Sequence, residues 1–326
     1  MNAPSAAAAA ATQVVALSGG VGGAKLVSGL ADVCAPGTLT AAVNVGDDFD
    51  YLGLRVCPDI DSVLYAAAGL NDTERGWGRK DETWHFQQSL PQLGFESWFQ
   101  LGDRDLATHV LRTEWLREGA TLGEVCARMA RSLGLRFTLL PVSDDPLRTH
   151  VRTPEGELPF QHYFVRRRCE PVCQALRFEG AESARLSPGL QALADAGTIG
   201  AFVICPSNPF VSVDPILAVA GMRRLIAERR VPCVAVSPIV GGQALKGPAA
   251  KMMAELGREV SALGIARHYA GLIDGLVLDV VDQSLAPAIE ALGLRVAVTD
   301  TIMKDAASRR RVARETLALA SRLAAR

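Results

Sequence analysis

An excess of charge of either sign is missing from this 326-residue chain: 34 Lys and Arg stand against 35 Asp and Glu, a net charge of -1. Without a global field, nothing favours nucleic acid or an anionic membrane, and any anion site must be local. Histidine and tyrosine are scarce, at five and four, which leaves little room for His-rich metal sites. No stretch approaches the roughly 18 apolar residues of a membrane span. The N-terminal "MNAPSAAAAAATQ" lacks the basic region of a signal peptide, and residues 1–12 read as a disordered tail. Paired cysteines are lacking too. The seven (Cys34, Cys57, Cys126, Cys169, Cys173, Cys205, Cys233) are odd in number and mostly sit in or beside apolar runs, as expected of reduced thiols in a cytoplasmic protein. Cys169-x-x-x-Cys173 lies near His162 but has no second pair to complete a zinc site.

What is present is a large apolar fraction, 49% of residues, arranged as short runs that alternate with amphipathic stretches. "VVALSGG", "TLTAAVNV", "RFTLLPVS", "GAFVICPSNP", "PCVAVSPIVGG", "GLVLDVVD" and "LRVAVTDT" read as buried strands. "AKLVSGLADV", "PDIDSVLYAAAGL", "DPILAVAGMRRLIAER" and "GPAAKMMAELG" read as helices, and "TLGEVCARMARSLG" opens on Thr121 and Glu124 in capping-box spacing. "THVRTPEGELPFQHYFV" reads as a hairpin around Pro154-Glu155-Gly156. The alternation predicts an α/β fold: one Rossmann-like, mainly parallel sheet with helices on both faces, over residues 13–326. A helix-rich insertion is expected at about 58–134.

In such sheets ligands bind beyond the carboxyl ends of the strands. The first of these ends is "SGGVGGAKL". It completes neither named phosphate motif. Ala24 and Leu26 stand where a P-loop needs Gly and Ser or Thr, and Lys25 occupies the third glycine position of the dinucleotide fingerprint. What survives is a bare turn at a helix N-terminus with a lysine one turn on, which suits a phosphate through Gly19, Gly20, Gly22 and Lys25. "CPSNPF" (Ser207, Asn208) and "SPIVGGQALKGP" (Gly241, Gly242) are two further polar loops at strand ends, together enough for a nucleotide diphosphate. Each alone is also ordinary turn chemistry.

Five aspartates, Asp47, Asp48, Asp50, Asp59 and Asp61, fall within fifteen residues at the second strand end and the next helix start. Hard oxygen ligands facing a basic loop suit a phosphate ester with Mg2+, and Asp48 and Asp61 are the candidates for catalysis and metal. Asp59 also fits a plain helix-start role. In "LGDRDLATH", Asp103, Arg104, Asp105 and His109 crowd another helix start. There Asp103 doubles as a candidate N-cap, and Arg104 suits a phosphate or carboxylate. No G-x-S-x-G elbow is present. Composition and spacing end at an enzyme or binder for a phosphorylated, nucleotide-like ligand.

"LSGGVGGAKL", "NVGDDFDYLGLRVCPDIDSVLY", "LGDRDLATH", "PVSDDPLRT", "CPSNPFVSVDPIL" and "SPIVGGQALKGPAAKMM", in this order from about Val14 to Met303, resemble the 2-phospho-L-lactate transferase family of deazaflavin coenzyme F-420 biosynthesis. The resemblance implies transfer of a phospho-carboxylate (2-phospholactate, phosphoenolpyruvate or phosphoglycerate) from its guanosine diphosphate adduct to the terminal ribityl hydroxyl of the deazaflavin alcohol Fo, with release of GMP. It implies Mg2+ on Asp48 and Asp61, and the acceptor beside Asp48, Asp59, Asp61, Asp103, Arg104 and His109. It further implies a cytoplasmic homodimer without nucleic acid or membrane partners. Gln100 departs from the pattern, standing where some relatives have a basic residue. A sugar-nucleotide or nucleotide sensor without turnover is the alternative, disfavoured by the aspartates. A nicotinamide oxidoreductase is disfavoured by the broken fingerprint.

Overall fold

The computed structural model describes residues 12–325; the expected N-terminal tail, Thr12 apart, lies outside them. Seven strands, β1 (Gln13–Ser18), β2 (Leu39–Val43), β5 (Thr138–Pro141), β9 (Ile199–Ile204), β10 (Cys233–Val236), β13 (Gly275–Asp279) and β14 (Arg295–Thr299), form one sheet in the order β14-β13-β10-β9-β1-β2-β5. Every pairing is parallel. β2, β10 and β13 are buried along their whole length, the mark of a parallel sheet covered on two sides. The chain builds outward from β1 through β2 to β5, then returns to place β9 on the other flank of β1. The order therefore reverses between β1 and β9, where a crevice opens at the strands' carboxyl ends.

Helices α1 (Gly20–Val33), α2 (Pro58–Ala67), α5 (Leu122–Ser132) and α12 (Ala306–Ala324) stand side by side. α12 packs on α1, α1 on α2, and α2 on α5, while α12 touches β10, β13 and β14 and α5 touches β5. The capping box predicted for α5 is formed by Thr121 and Glu124. The helix-rich stretch thus divides in two. Its ends, α2 and α5, join this layer. Its middle, α3 (His85–Ser89) and α4 (Asp103–Arg117), packs with the hairpin β3 (Phe49–Tyr51) and β4 (Leu54–Val56) around a separate cluster of Tyr51, Val56 and Leu101.

The predicted hairpin at Pro154 is β6 (Arg148–Thr153) and β7 (Gly156–Pro159), joined by β8 (Ala175–Glu179) into a small antiparallel sheet. "DPILAVAGMRRLIAER" is not one helix but two, α7 (Asp214–Ala218) and α8 (Ala220–Ala227). The fully buried Val219 is extended (φ -66°, ψ 111°) between them. The remaining elements are α6 (Pro188–Ala196), the short pair β11 (Ile239–Val240) and β12 (Gln243–Ala244), α9 (Ala249–Glu255), α10 (Ala262–His268) and α11 (Ala286–Glu290).

Candidate active site

The crevice is built first from the β1–α1 turn. Gly20 is left-handed (φ +61°), a conformation that costs other residues about 1–2 kcal/mol. Gly19 caps α1 without a side chain, so the first-turn amides look outside the helix for partners. The Gly19 N–H donates to Ser207 Oγ at 3.0 Å and the Gly20 N–H to Asp59 Oδ1 at 2.6 Å. The Val21 and Gly22 amides find no partner in the described residues, and these two are open to an anion at the positive end of the helix. Lys25, half-buried, follows one turn on. Burial lowers its pKa, and so do its cationic neighbours Lys246 and Arg309.

The bareness of the loop has a second cause. A Cβ on Gly22 would strike the Pro206 carbonyl, one on Gly23 the Ser18 and Ser207 hydroxyls, and one on Gly19 the Asp59 and Ser212 side chains. The β9 turn presses on the β1 turn, so the glycines serve close packing as well as access.

Carboxylates form the opposite wall. Asn44, just past β2, donates through Nδ2 to Asp59 Oδ2 at 2.9 Å and to Asp47 Oδ1 at 3.2 Å. Burial pushes Asp47 well above the usual carboxylate range, and the charge of Asp59 adds to this. Burial also pushes Asp59 up to about 6, against hydrogen bonds from Asn44, Gly20 and Ser212. Asp59 is therefore no simple helix-start residue: it ties the glycine loop to the end of β2. Asp48 is 2% exposed, and its Oδ1 has no hydrogen-bond partner among the described residues. Burial pushes Asp48 up to about 7, opposed by the Cys57 hydrogen bond and by Arg148, Arg112 and Arg55.

Asp61 faces the other way. Both its oxygens accept from Arg112, a side chain with no exposed surface. His109 bridges onward, with Nδ1 3.8 Å from Asp61 Oδ2 and Nε2 3.4 Å from Asp105 Oδ1. The Tyr65 hydroxyl donates to Asp105 at 2.5 Å. Despite the opposing effect of burial, the hydrogen bond and charge of His109 hold Asp105 below the usual range.

The structure brings Asp61 and His109 together around Arg112, whose charge also reaches Asp48, and joins Asp59 to Asn44 and Asp47; Asp103 and Arg104 stand apart. Gly102, not Asp103, is the N-cap of α4. The Asp103 carboxylate instead accepts from Thr83 Oγ1 and the His85 and Phe86 amides, at 2.5, 3.1 and 3.0 Å, and so anchors α3. Arg104 is exposed, 4.0 Å from Asp81. Asn208 turns its Oδ1 to the Phe210 amide at 3.0 Å. Gly241 and Gly242 are both left-handed, and the Gly241 amide is held by Asp282 at 3.0 Å.

For a divalent cation, Asp48 is the carboxylate with an oxygen to spare, while those of Asp61 are held by Arg112. Among the described residues no group of three or more His, Cys, Asp or Glu is arranged as a metal site. The donor set fits a Mg2+ ion that takes one carboxylate from the chain and its other oxygens from a substrate's phosphates and water. The sequence reading missed Asn44 and Arg112. The signal for Arg112 was present: Asp105, His109 and Arg112 recur at i, i+4 and i+7, a polar stripe on one face of α4.

With this geometry in hand, the comparisons are specific. The family model described as 2-phospho-L-lactate transferase CofD matches residues 14–316. A phosphoenolpyruvate transferase of Streptomyces griseus is 41% identical over 96% of this chain and 100% of its own length. A 2-phospho-L-lactate transferase of Methanosarcina mazei is 37% identical over 89% of this chain and 94% of its own. A crystal structure of a Bacillus halodurans protein superposes with a TM-score of 0.60 at 17% identity, covering 94% of this chain and 99% of that one; that likeness is one of fold. No helix of the described residues is long and apolar enough to cross a membrane.

Proposed function

Because the chain belongs to the 2-phospho-L-lactate transferase family, we propose that it moves a phospho-carboxylate from a guanosine diphosphate adduct to the ribityl hydroxyl of Fo, releasing GMP. The observation that carries the reading is the contact, through Asp59 and the Gly20 amide, of a helix N-terminus with open amides and a carboxylate cluster. The donor's diphosphate lies at the Val21 and Gly22 amides and Lys25. Asp48 orients the attacking hydroxyl and takes its proton, as a carboxyl near neutrality can. Asp59 and Asn44 fix the separation of the two walls. Asp61, held by Arg112 and flanked by His109, acts as a positioning residue behind Asp48. Asp48 is the residue that would hold a Mg2+ ion beside the donor's phosphates, and such an ion would supply charge stabilisation for the leaving GMP. Transfer of this kind is chiefly positioning and charge stabilisation. A cytoplasmic homodimer is the assembly proposed with this reading.

Phospholactate, phosphoenolpyruvate and phosphoglycerate donors differ by a methyl, methylene or hydroxymethyl group, a difference read by pocket shape. The test is mass spectrometry on the purified protein with Fo, Mg2+ and each of the three guanosine donors. A new phosphodiester with equimolar GMP is the expected result, and the fastest donor names the acid. Guanosine nucleotide binding without product from any donor would overturn the transferase reading in favour of a sensor.

A further inference from the structure

A second cavity, of about 380 Å³, lies outside the transfer cleft, among β8, α7, α8 and the end of α10. It falls in the size range of small-molecule sites. Its walls combine the half-buried Phe178 ring with two guanidiniums, Arg223 and Arg258, at the solvent rim, while Tyr269, 1% exposed, lies behind them. The one acid in its lining, Asp214, is taken by His268, whose Nε2 lies 2.9 Å from Asp214 Oδ1. Both arginines are left without a carboxylate partner among the described residues.

We propose that this cavity binds a small aromatic anion. Its carboxylate or phosphate meets Arg223 and Arg258, and its ring lies against Phe178. An apolar ligand would gain nothing from the two guanidiniums, an inorganic anion would leave the Phe178 ring wet, and a cation would be repelled. The cavity also adjoins the transfer side of the molecule. The Phe210 ring packs on His268 with centroids 5.1 Å apart, and the Phe210 amide is the one held by Asn208.

The test is isothermal titration calorimetry of the full chain with phenyl phosphate and benzoate, against inorganic phosphate and benzyl alcohol as controls. At least one aromatic anion is expected to bind tenfold or more tightly than either control, and the better of the two names the head group. Arg223→Ser with Arg258→Ser should weaken that binding at least tenfold, and Phe178→Ser several-fold. Thermal unfolding checks that these variants are folded, and their turnover without the anion should match the parent. The proposal is overturned if neither aromatic anion exceeds the controls, or if the double variant binds as the parent does, which would place binding elsewhere. The binding readouts do not require transferase activity.

Discussion

Two buried residues, Asp48 and Arg112, carry opposite obligations. Asp48 is pushed up to about 7 by burial, whereas a free Asp titrates near 3.9. Between those values the folded chain keeps a proton that the unfolded chain has lost, so stability falls as pH rises through the window. Asp48→Asn should therefore leave the unfolding temperature unchanged near pH 4 and raise it at pH 8, as calorimetry at both pH values would show. The same substitution removes the proposed base, and turnover should fall by a factor on the order of 10² to 10⁴; unchanged turnover would remove Asp48 from the mechanism. In the parent, turnover should rise with pH through about 7, and Mg2+ should move that inflection lower, since a cation favours the ionised carboxylate. Arg112 works the other way, as a buried charge made tolerable by Asp61. Arg112→Met strands that carboxylate, and a loss of about 3–5 kcal/mol is expected in denaturant titration. Adding Asp61→Leu should recover most of it. A loss that persists in the double variant would show that Arg112 acts through other contacts. Sequence alone could pick out the aspartates by their density, but not which of them holds a free oxygen. That depends on Arg112, 51 residues from Asp61 in the chain, and so on a pairing no local pattern encodes.

Secondary elements were the most legible level, because each main strand is a short apolar run bounded by turn residues, and such runs leave few alternatives. The break between α7 and α8 was not legible: in "ILAVAG" only Gly221 disfavours a continuous helix, and a single glycine is tolerated in many helices. The glycine loop was legible as a phosphate turn but not as a packing contact, since the Pro206 carbonyl that excludes a side chain at Gly22 arrives from another strand end. This yields a prediction for the element α1. Gly22→Ala forces the β1 and β9 turns apart and displaces one of the two open amides. The KM for the donor should rise about tenfold or more, with the KM for Fo changed far less. Equal changes in both would mean that the loop serves only the fold of the crevice.

Across the whole molecule, the two walls of the crevice keep their register because they hang from one packed layer. α1, which begins at the phosphate turn, lies between α2, which carries Asp59 and Asp61, and α12. The sequence indicated the sheet and its helices, but not this order. The strand permutation that puts β9 beside β1 is set by long-range pairing, and periodicity is blind to it. The layer has a contact too close for a side chain: a Cβ on Gly29 of α1 would meet the Arg309 carbonyl of α12. Gly29→Ala must therefore push the two helices apart, even though alanine is the better helix former. Overpacking of this kind typically costs about 1–3 kcal/mol, so the unfolding temperature should drop by several degrees. Moving α1 as a body also shifts its N-terminal amides against Asp59, so donor affinity should weaken together with stability. Gly29→Ala that unfolds earlier but keeps full donor affinity, measured by titration well below its transition, would show that the crevice is held by the β1 and β9 turns rather than by the helical layer.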